Sequence, residues 1–141
     1  MPRHNERMES LVFTMTTGDR LTTDITTEVA RFCSGKGDGL CSVFVPHATA
    51  GVAIFETGAG SEEDLALILE SMLPLDAAYH HRHGSPGHGR DHVLPAFISP
   101  SLVIPVIGGR LTLGTWQSVV FVDSNVDNPH REVRLSFLAS A

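Results

Sequence analysis

Apolar side chains occupy every second position near the start of the chain. Leu11, Phe13 and Met15 alternate with positions that include Thr14 and Thr16. Successive side chains of a strand point to opposite faces, so this period of two predicts a half-buried β-strand. Short runs rich in β-branched residues predict further strands at 40–45, 52–55, 102–106, 111–113, 116–122 and 133–138.

Two segments have the spacing of amphipathic helices. Between 22 and 32, apolar residues such as Ile25 and Val29 recur at three- and four-residue intervals. The second helix is predicted to begin at Ser61, with acidic residues in its first turn that suit the helix dipole, and to end before Pro74. Its apolar face is formed by Leu65, Ile68, Leu69 and Met72.

The order of these elements, with clustered strands and only two helices, indicates an α+β fold. We expect a mostly antiparallel β-sandwich or flattened barrel with the two helices packed outside. Pro105 interrupts a predicted strand, which places that strand at an edge or a bulge, and Gly108-Gly109 predicts a hairpin turn after it. Residues 1–9 predict a flexible N-terminal tail, and residues 10–141 predict a single domain.

Composition and charge narrow the classes of function. The formal net charge is −6 and no cluster of Lys and Arg occurs, so we expect no nucleic-acid partner. No apolar run approaches the roughly 20 residues of a membrane span, and the polar N-terminus lacks the apolar segment of a secretion signal. We therefore expect a soluble, cytoplasmic protein that does not enter a membrane. The two cysteines, Cys33 and Cys41, are expected to be reduced and buried.

Histidines are concentrated in a segment, 76–92, that has neither helical nor strand periodicity. Five of the eight histidines of the chain lie there, at His80, His81, His83, His88 and His92. Neutral imidazole offers a lone pair that suits Zn, Ni, Fe or Cu. The spacing matches no standard zinc motif. The residues alone therefore leave two alternatives open, a metal site and a chance cluster on a surface loop.

Three further polar residues lie at positions that could serve chemistry. His47 follows an apolar strand and precedes a turn, where a rigid strand can present a catalytic group. Glu56 ends an apolar strand, where it is a ligand, a base or an exposed carboxylate. Gln117 lies inside a predicted strand, where its amide orients a substrate or faces solvent. The sequence alone does not choose between these alternatives.

Several short motifs follow one another in a fixed order along the chain. They are His47-Ala48-Thr49-Ala50, Phe55-Glu56-Thr57, Asp64-Leu65, Tyr79-His80-His81, Asp91-His92-Val93, Ser101-Leu102, Pro105, Gly109-Arg110 and Gly114-Thr115-Trp116-Gln117. In this order they resemble the motifs of the YjbQ-like family, also described as secondary thiamine-phosphate synthase enzymes. The resemblance extends from about Leu11 to Leu138.

The chain departs from the family pattern near the expected site. Ala48 replaces a threonine, and Phe55 and Thr57 replace the asparagines on either side of Glu56. The segment 84–90 is rich in glycine, where relatives carry acidic residues and asparagine. These departures change groups that would face a substrate, whereas the histidines of the family pattern are kept.

The resemblance implies a homotrimer and a divalent-metal site formed by His47, His81 and His92. Three histidines suit zinc and leave a coordination position open, as in catalytic sites. Glu56, Asp64 and Gln117 are then the candidate catalytic residues.

The resemblance also implies an activity, thiamine-phosphate synthesis from two phosphorylated small molecules. Mg is a possible cofactor for a diphosphate substrate, and Arg110 and Arg131 are candidate clamps for its phosphates. Metal-assisted hydrolysis or a lyase reaction is a chemical alternative with Glu56 or Asp64 as the base. A second alternative is a non-enzymatic oligomer that binds a metal or a small anion.

Overall fold

The computed structural model describes residues 7–140. Within this part of the chain the eight strands are β1 (Met8–Thr16), β2 (Thr22–Asp24), β3 (Gly39–Phe44), β4 (Ala50–Phe55), β5 (Ser101–Ile107), β6 (Arg110–Leu111), β7 (Ser118–Asp123) and β8 (His130–Ala139). The three helices are α1 (Thr26–Cys33), α2 (Ser61–Met72) and α3 (Gly89–Phe97).

The strands form two antiparallel sheets. The five-stranded sheet has the order β1-β8-β3-β5-β6, and the three-stranded sheet has the order β2-β7-β4. Every strand pairing within them is antiparallel. The expectation of an α+β fold with curled antiparallel sheets is therefore confirmed.

Strand β7 is buried on both faces and separates two hydrophobic cores. Val119 and Phe121 pack into the larger core, between the two sheets and α1. Val120 and Val122 point the other way, against Leu94 of α3 and apolar residues of α2. Alternate side chains of a strand serve opposite faces, so the uninterrupted apolar run of β7 matches a strand with a core on each side.

Both cysteines lie in the larger core as free thiols, as expected from the sequence. Burial raises the pKa of Cys33, and it raises the pKa of Cys41 to about 12. Thiolate is the reactive form of cysteine, so these two thiols are chemically inert in the folded protein.

Helix α3 was not predicted, because its sequence has weak helical signals. It begins at Gly89 and contains Pro95, which cannot donate a backbone hydrogen bond. A helix this short depends on tertiary packing, which Leu94 supplies by contact with the second core. The sequence also placed residues 22–24 in the first helix, whereas they form β2.

Strand ends differ from the predictions by up to three residues, and Gln117, predicted inside a strand, lies just before β7. Met8 and Glu9, expected in the tail, are the first residues of β1 and pair with Leu138 and Phe137 near the end of β8. Residues 1–6 lie outside the described part.

Pro105 lies within β5, and its carbonyl accepts hydrogen bonds from Thr112 on the outer side. Since the N and carbonyl of one strand residue point the same way, its missing N–H faces Thr112. The edge strand is β6, which pairs with β5 only at Val106 and Ile107.

Both glycines of the hairpin turn between β5 and β6 have positive φ, 57° at Gly108 and 75° at Gly109. Positive φ at both central residues is the geometry of the tight hairpin turn that the sequence predicts. Among residues 7–140, no helix is long and apolar enough to cross a membrane.

Candidate metal centre

Four imidazole rings meet beside the start of α3. The ring centroids of His81 and His83 lie 3.8 Å apart, and those of His81 and His92 lie 4.0 Å apart. His88 completes the group, with its centroid 4.7 Å from that of His92. One ring nitrogen from each of His81, His83 and His92 lies within 4.8 Å of the others, close enough for a single ion to be bound by all three. We refer to these four residues as the histidine cluster.

Local backbone features bring the cluster together. Helix α3 places His88, at its N-terminal end, and His92 one turn apart on the same face. The segment before it folds back through Gly84 and Gly87, which have φ of 85° and 79°. A Cβ atom on Gly84 would collide with the ring of His88, so glycine is required at this close approach.

The electrostatics of the cluster favour neutral imidazoles. Burial lowers the pKa of His81, and the adjacent His83 and His88 lower it further. Burial also lowers the pKa of His92, and the surrounding rings add to that effect. Neutral imidazole is the form that binds a metal. The buried Nδ1 of His81 has no hydrogen-bond partner among the described residues, which fits a nitrogen available as a ligand.

His88 is oriented by two carboxylates. Its Nδ1 lies 3.1 Å from Oδ2 of Asp91 and 3.2 Å from Oδ2 of Asp127. Its Nε2 lies 2.9 Å from Nε2 of His92. Carboxylates that bind the outer nitrogen of a histidine fix its tautomer and ring orientation, which is the usual arrangement around metal-binding histidines.

His47 does not lie with the histidine cluster in one chain. Its Nε2 accepts a hydrogen bond of 2.9 Å from the backbone N–H of Glu132, so Nδ1 carries the proton of the neutral ring. Burial lowers its pKa, and the nearby Arg131 guanidinium lowers it further. His47 lines a separate cavity of about 340 Å³ together with His130.

Of the three predicted ligands, one chain therefore brings together His81 and His92. His83 and His88 join them in place of His47. Both were visible in the sequence as members of the dense histidine segment, but spacing alone does not show which rings converge.

Two of the predicted catalytic residues lie at the far end of the three-stranded sheet. Glu56 directly follows β4, whose last residue pairs with Ser118 at the start of β7, and Gln117 directly precedes β7. The loop that carries Asp127 follows the other end of β7. Six residues of strand separate these ends by about 17 Å.

Gln117 has a local role, since its Oε1 accepts a hydrogen bond of 2.8 Å from the backbone N–H of Gly114. Asp64, the third candidate, is exposed in the first turn of α2.

The two predicted anion clamps have different surroundings. Arg131 is 2% exposed, and its Nε and Nη2 donate to both carboxylate oxygens of Asp123, at 2.7 Å and 3.1 Å. Its Nη2 also donates to Oγ1 of Thr49 at 2.8 Å. Arg110 is exposed in β6, at the edge of the five-stranded sheet. The structure thus gives Arg131 a buried ion pair and does not bring the two arginines to the histidine cluster.

Comparison with known sequences places the chain in one family. The sequence pattern described as UPF0047 protein YjbQ-like matches residues 11–140. The UPF0047 protein Rv2556c of Mycobacterium tuberculosis is 59% identical over 131 residues, which cover 93% of this chain and 98% of that protein. A UPF0047 protein of Archaeoglobus fulgidus is 35% identical over 100 residues, which cover 71% of this chain and 78% of that protein.

Solved structures support the same assignment. The hypothetical protein APE1520 of Aeropyrum pernix K1 superposes with a TM-score of 0.84 at 35% identity, covering 94% of this chain and 99% of that one. A YjbQ/UPF0047 family protein of Clostridium acetobutylicum gives a TM-score of 0.80 at 30% identity, covering 90% and 98% of the two chains. The match spans nearly all of the described fold, and the chain belongs to the YjbQ-like UPF0047 family.

Proposed function

We propose that this protein binds a divalent transition-metal ion, preferably zinc, through His81, His83 and His92. The observation that carries the proposal is the convergence of one ring nitrogen from each residue within 4.8 Å. The buried Nδ1 of His81, which has no hydrogen-bond partner in the described part of the chain, supports it. A polar atom buried without a partner is costly, and a bound cation would remove that cost.

The chemistry of the donors favours zinc over magnesium. Magnesium prefers oxygen ligands, whereas the three converging groups are imidazoles. The nearest carboxylates, Asp91 and Asp127, bind His88 rather than standing free. Three protein ligands leave a coordination position open, and a zinc ion held in this way supplies Lewis-acid chemistry suited to hydrolysis or a lyase reaction.

The surroundings of the cluster favour a small anionic ligand. A cavity of about 470 Å³ opens beside it, lined by residues 77–79 and 81–89, including Arg82. Arg82 is exposed between two histidines of the cluster and can attract a phosphorylated molecule. Thiamine-phosphate synthesis stays a prediction from the resemblance. Arg131, one of the residues expected to bind the phosphates of its substrate, is already paired with Asp123.

A non-enzymatic metal-binding protein is the second candidate function. It is favoured by the positions of Glu56 and Gln117 at the opposite end of β7 from the loop beside the cluster. An activity screen of the zinc-loaded protein against phosphate esters separates the two candidates, since a binding protein shows no turnover above that of free zinc.

The first experiment is a metal titration of the full chain. After treatment with a chelator, the protein is titrated with zinc in competition with a chromophoric chelator, and cobalt is used to record ligand-field spectra. We expect one ion per chain. The matched control is His80→Ala, because His80 is exposed beside His81 and lies outside the converging group. Binding below one ion per five chains would contradict the proposal. Loss of zinc binding in His80→Ala would also contradict it.

We also propose that the protein is a homotrimer whose interface includes the outer face of the five-stranded sheet. Leu40 lies directly opposite Leu138 and Pro105, and Leu138 lies opposite Met8. This row is exposed, with Leu40 at 45% and Leu138 at 50%. The exposed Val103 extends the same face. Contiguous exposed apolar surface of this kind marks sites of protein–protein contact.

A charged substitution on this face is expected to dissociate the assembly. Leu40→Glu would place a carboxylate in a desolvated interface, so we expect sedimentation equilibrium to give a mass near 15.2 kDa instead of about three times that value. Val126→Glu, in the exposed loop between β7 and β8, is the control and should leave the mass unchanged. A wild-type protein that sediments as a monomer at micromolar concentration would refute the trimer.

A further inference from the structure

We propose that the loop between β7 and β8, residues 124–129, is the outer support of the metal centre and that Asn125 is its positioning residue. In this role Asn125 sets the orientation of His88, and thereby the geometry of the histidine cluster, although its own hydrogen bonds are made elsewhere. The inference rests on the metal binding proposed above and assigns a role to residues that the sequence did not single out.

The loop determines the position of both carboxylates that hold His88. Ser124 donates a hydrogen bond of 2.6 Å to Oδ1 of Asp91, whose Oδ2 faces Nδ1 of His88. Asp127 belongs to the loop itself and approaches the same nitrogen. Asp127 also accepts a 3.0 Å hydrogen bond from the backbone N–H of Ser85, which ties the loop to the segment that carries the histidines.

These contacts fix the tautomer of His88. An imidazole nitrogen that faces two carboxylates carries a proton, so Nδ1 is the donor. The other nitrogen, Nε2, is then directed at His92, 2.9 Å away. A shift of the loop would therefore turn the ring of His88 and change its contact with His92.

Asn125 holds the loop in place by three hydrogen bonds. Its backbone N–H donates to Oδ1 of Asp123 at 2.9 Å, and its side-chain Oδ1 accepts from the backbone N–H of Asp127 at 2.8 Å. Its Nδ2 donates to Oγ1 of Thr49 at 3.1 Å. Asn125 is only 5% exposed, so these bonds are shielded from water. Each of its side-chain groups is used to fix the loop rather than to meet a ligand.

The buried ion pair anchors Asn125 to both sheets. Asp123 ends β7 in one sheet, and Arg131 lies in β8 of the other. Thr49, which precedes β4, binds both Arg131 and Asn125. This buried hydrogen-bond network makes a rigid base for the loop. The support thus runs from Arg131 through Asp123 and Thr49 to Asn125, and from there through Asp127 to His88.

Removing this support is expected to weaken metal binding by about 10-fold, the lower end of the effect of losing an outer partner of a ligand, because the loop acts on the ligand His92 through His88. The variants are Asn125→Ala and Asp127→Asn. Asp127 is one-third exposed, so Asp127→Asn keeps the shape and the fold and removes only the charge. Asn125→Asp retains the acceptor for the N–H of Asp127 and should recover part of the affinity. Asp19→Asn removes the same charge from an exposed turn and is the control.

Three quantities are measured on the full chain: the zinc dissociation constant, the melting temperature of the metal-free protein, and the Nδ1–H signal of His88 by NMR. We expect weaker zinc binding in both loop variants, an unchanged melting temperature in Asp127→Asn, and loss of the His88 signal in Asn125→Ala. The control should match the wild type in all three.

The outcomes separate this inference from the proposed function. If the wild type binds zinc and both loop variants bind it equally well, the positioning role is wrong while the metal site stands. If the wild type binds no zinc, the proposed function is wrong, and the NMR signal of His88 then tests the positioning role of Asn125 by itself. A His88 Nδ1–H signal that persists in Asn125→Ala overturns the positioning role in either case.

Discussion

Replacing His92 by alanine is expected to lower zinc affinity by more than about 100-fold, since loss of an outer partner alone costs about 10–100-fold. His92 is central to the histidine cluster, stacked on His81 with ring centroids 4.0 Å apart and within 2.9 Å of Nε2 of His88. Alanine favours helix, so α3 should persist and the melting temperature of the metal-free protein should change little. Chelator competition and the cobalt spectrum measure the effect.

Two further variants decide which histidines are ligands. His83→Ala should also abolish tight binding, because His83 supplies one of the three converging nitrogens. His47→Ala should leave zinc binding intact, because Nε2 of His47 is occupied by the backbone N–H of Glu132. Zinc lost in His47→Ala and kept in His83→Ala would replace this ligand set by the one that the family resemblance implies.

The sequence predicted the strands well because their signals are local. The alternation of Leu11, Phe13 and Met15 corresponds to β1, and the apolar run after Gln117 corresponds to β7. Helix α3 was missed because Gly89 and Pro95 oppose helix formation, and burial of Leu94 compensates for them. That compensation comes from residues distant in sequence, which periodicity does not contain.

The site was predicted less completely, because it depends on which segments meet. The dense histidines left a metal site and a chance surface cluster as alternatives, and the resemblance named His47, His81 and His92 as ligands. Of these, His81 and His92 converge. The separation of His47 follows from the route of the chain between β3 and β4, where its ring turns toward β8. Arg131 was expected to clamp an anion because of the family resemblance. Its partner Asp123 lies in a different sheet, so the buried ion pair could not be recognised from sequence spacing.

Replacing Arg131 by methionine is expected to lower the free energy of unfolding by about 3–5 kcal/mol, the usual cost of breaking a buried ion pair. Asp123 has a side chain with no solvent exposure. Without Arg131, the hydroxyl of Thr17 and the N–H of Asn125 are the hydrogen-bond donors left to its carboxylate among residues 7–140. A charge buried with too few partners accounts for most of the loss. Urea denaturation of the metal-free protein measures it.

The control for this prediction lies on the same strand. Arg134 is exposed, and its Nη1 donates to the hydroxyl of Ser10 at 2.9 Å. Arg134→Met should therefore change the free energy of unfolding by no more than about 0.5 kcal/mol. Equal losses in the two variants would show that the Asp123–Arg131 pair is not a special source of stability.

A double variant separates the cost of the orphaned carboxylate from the value of the pair itself. When both charges are replaced by apolar groups of similar size, stability is often retained, so Asp123→Leu/Arg131→Met should recover much of the loss in Arg131→Met. The double variant should still bind zinc more weakly than the wild type, because Asn125 would have lost the Asp123 acceptor that fixes the loop next to His88. Recovery of stability without recovery of zinc affinity would show that the buried pair serves the metal centre more than the fold.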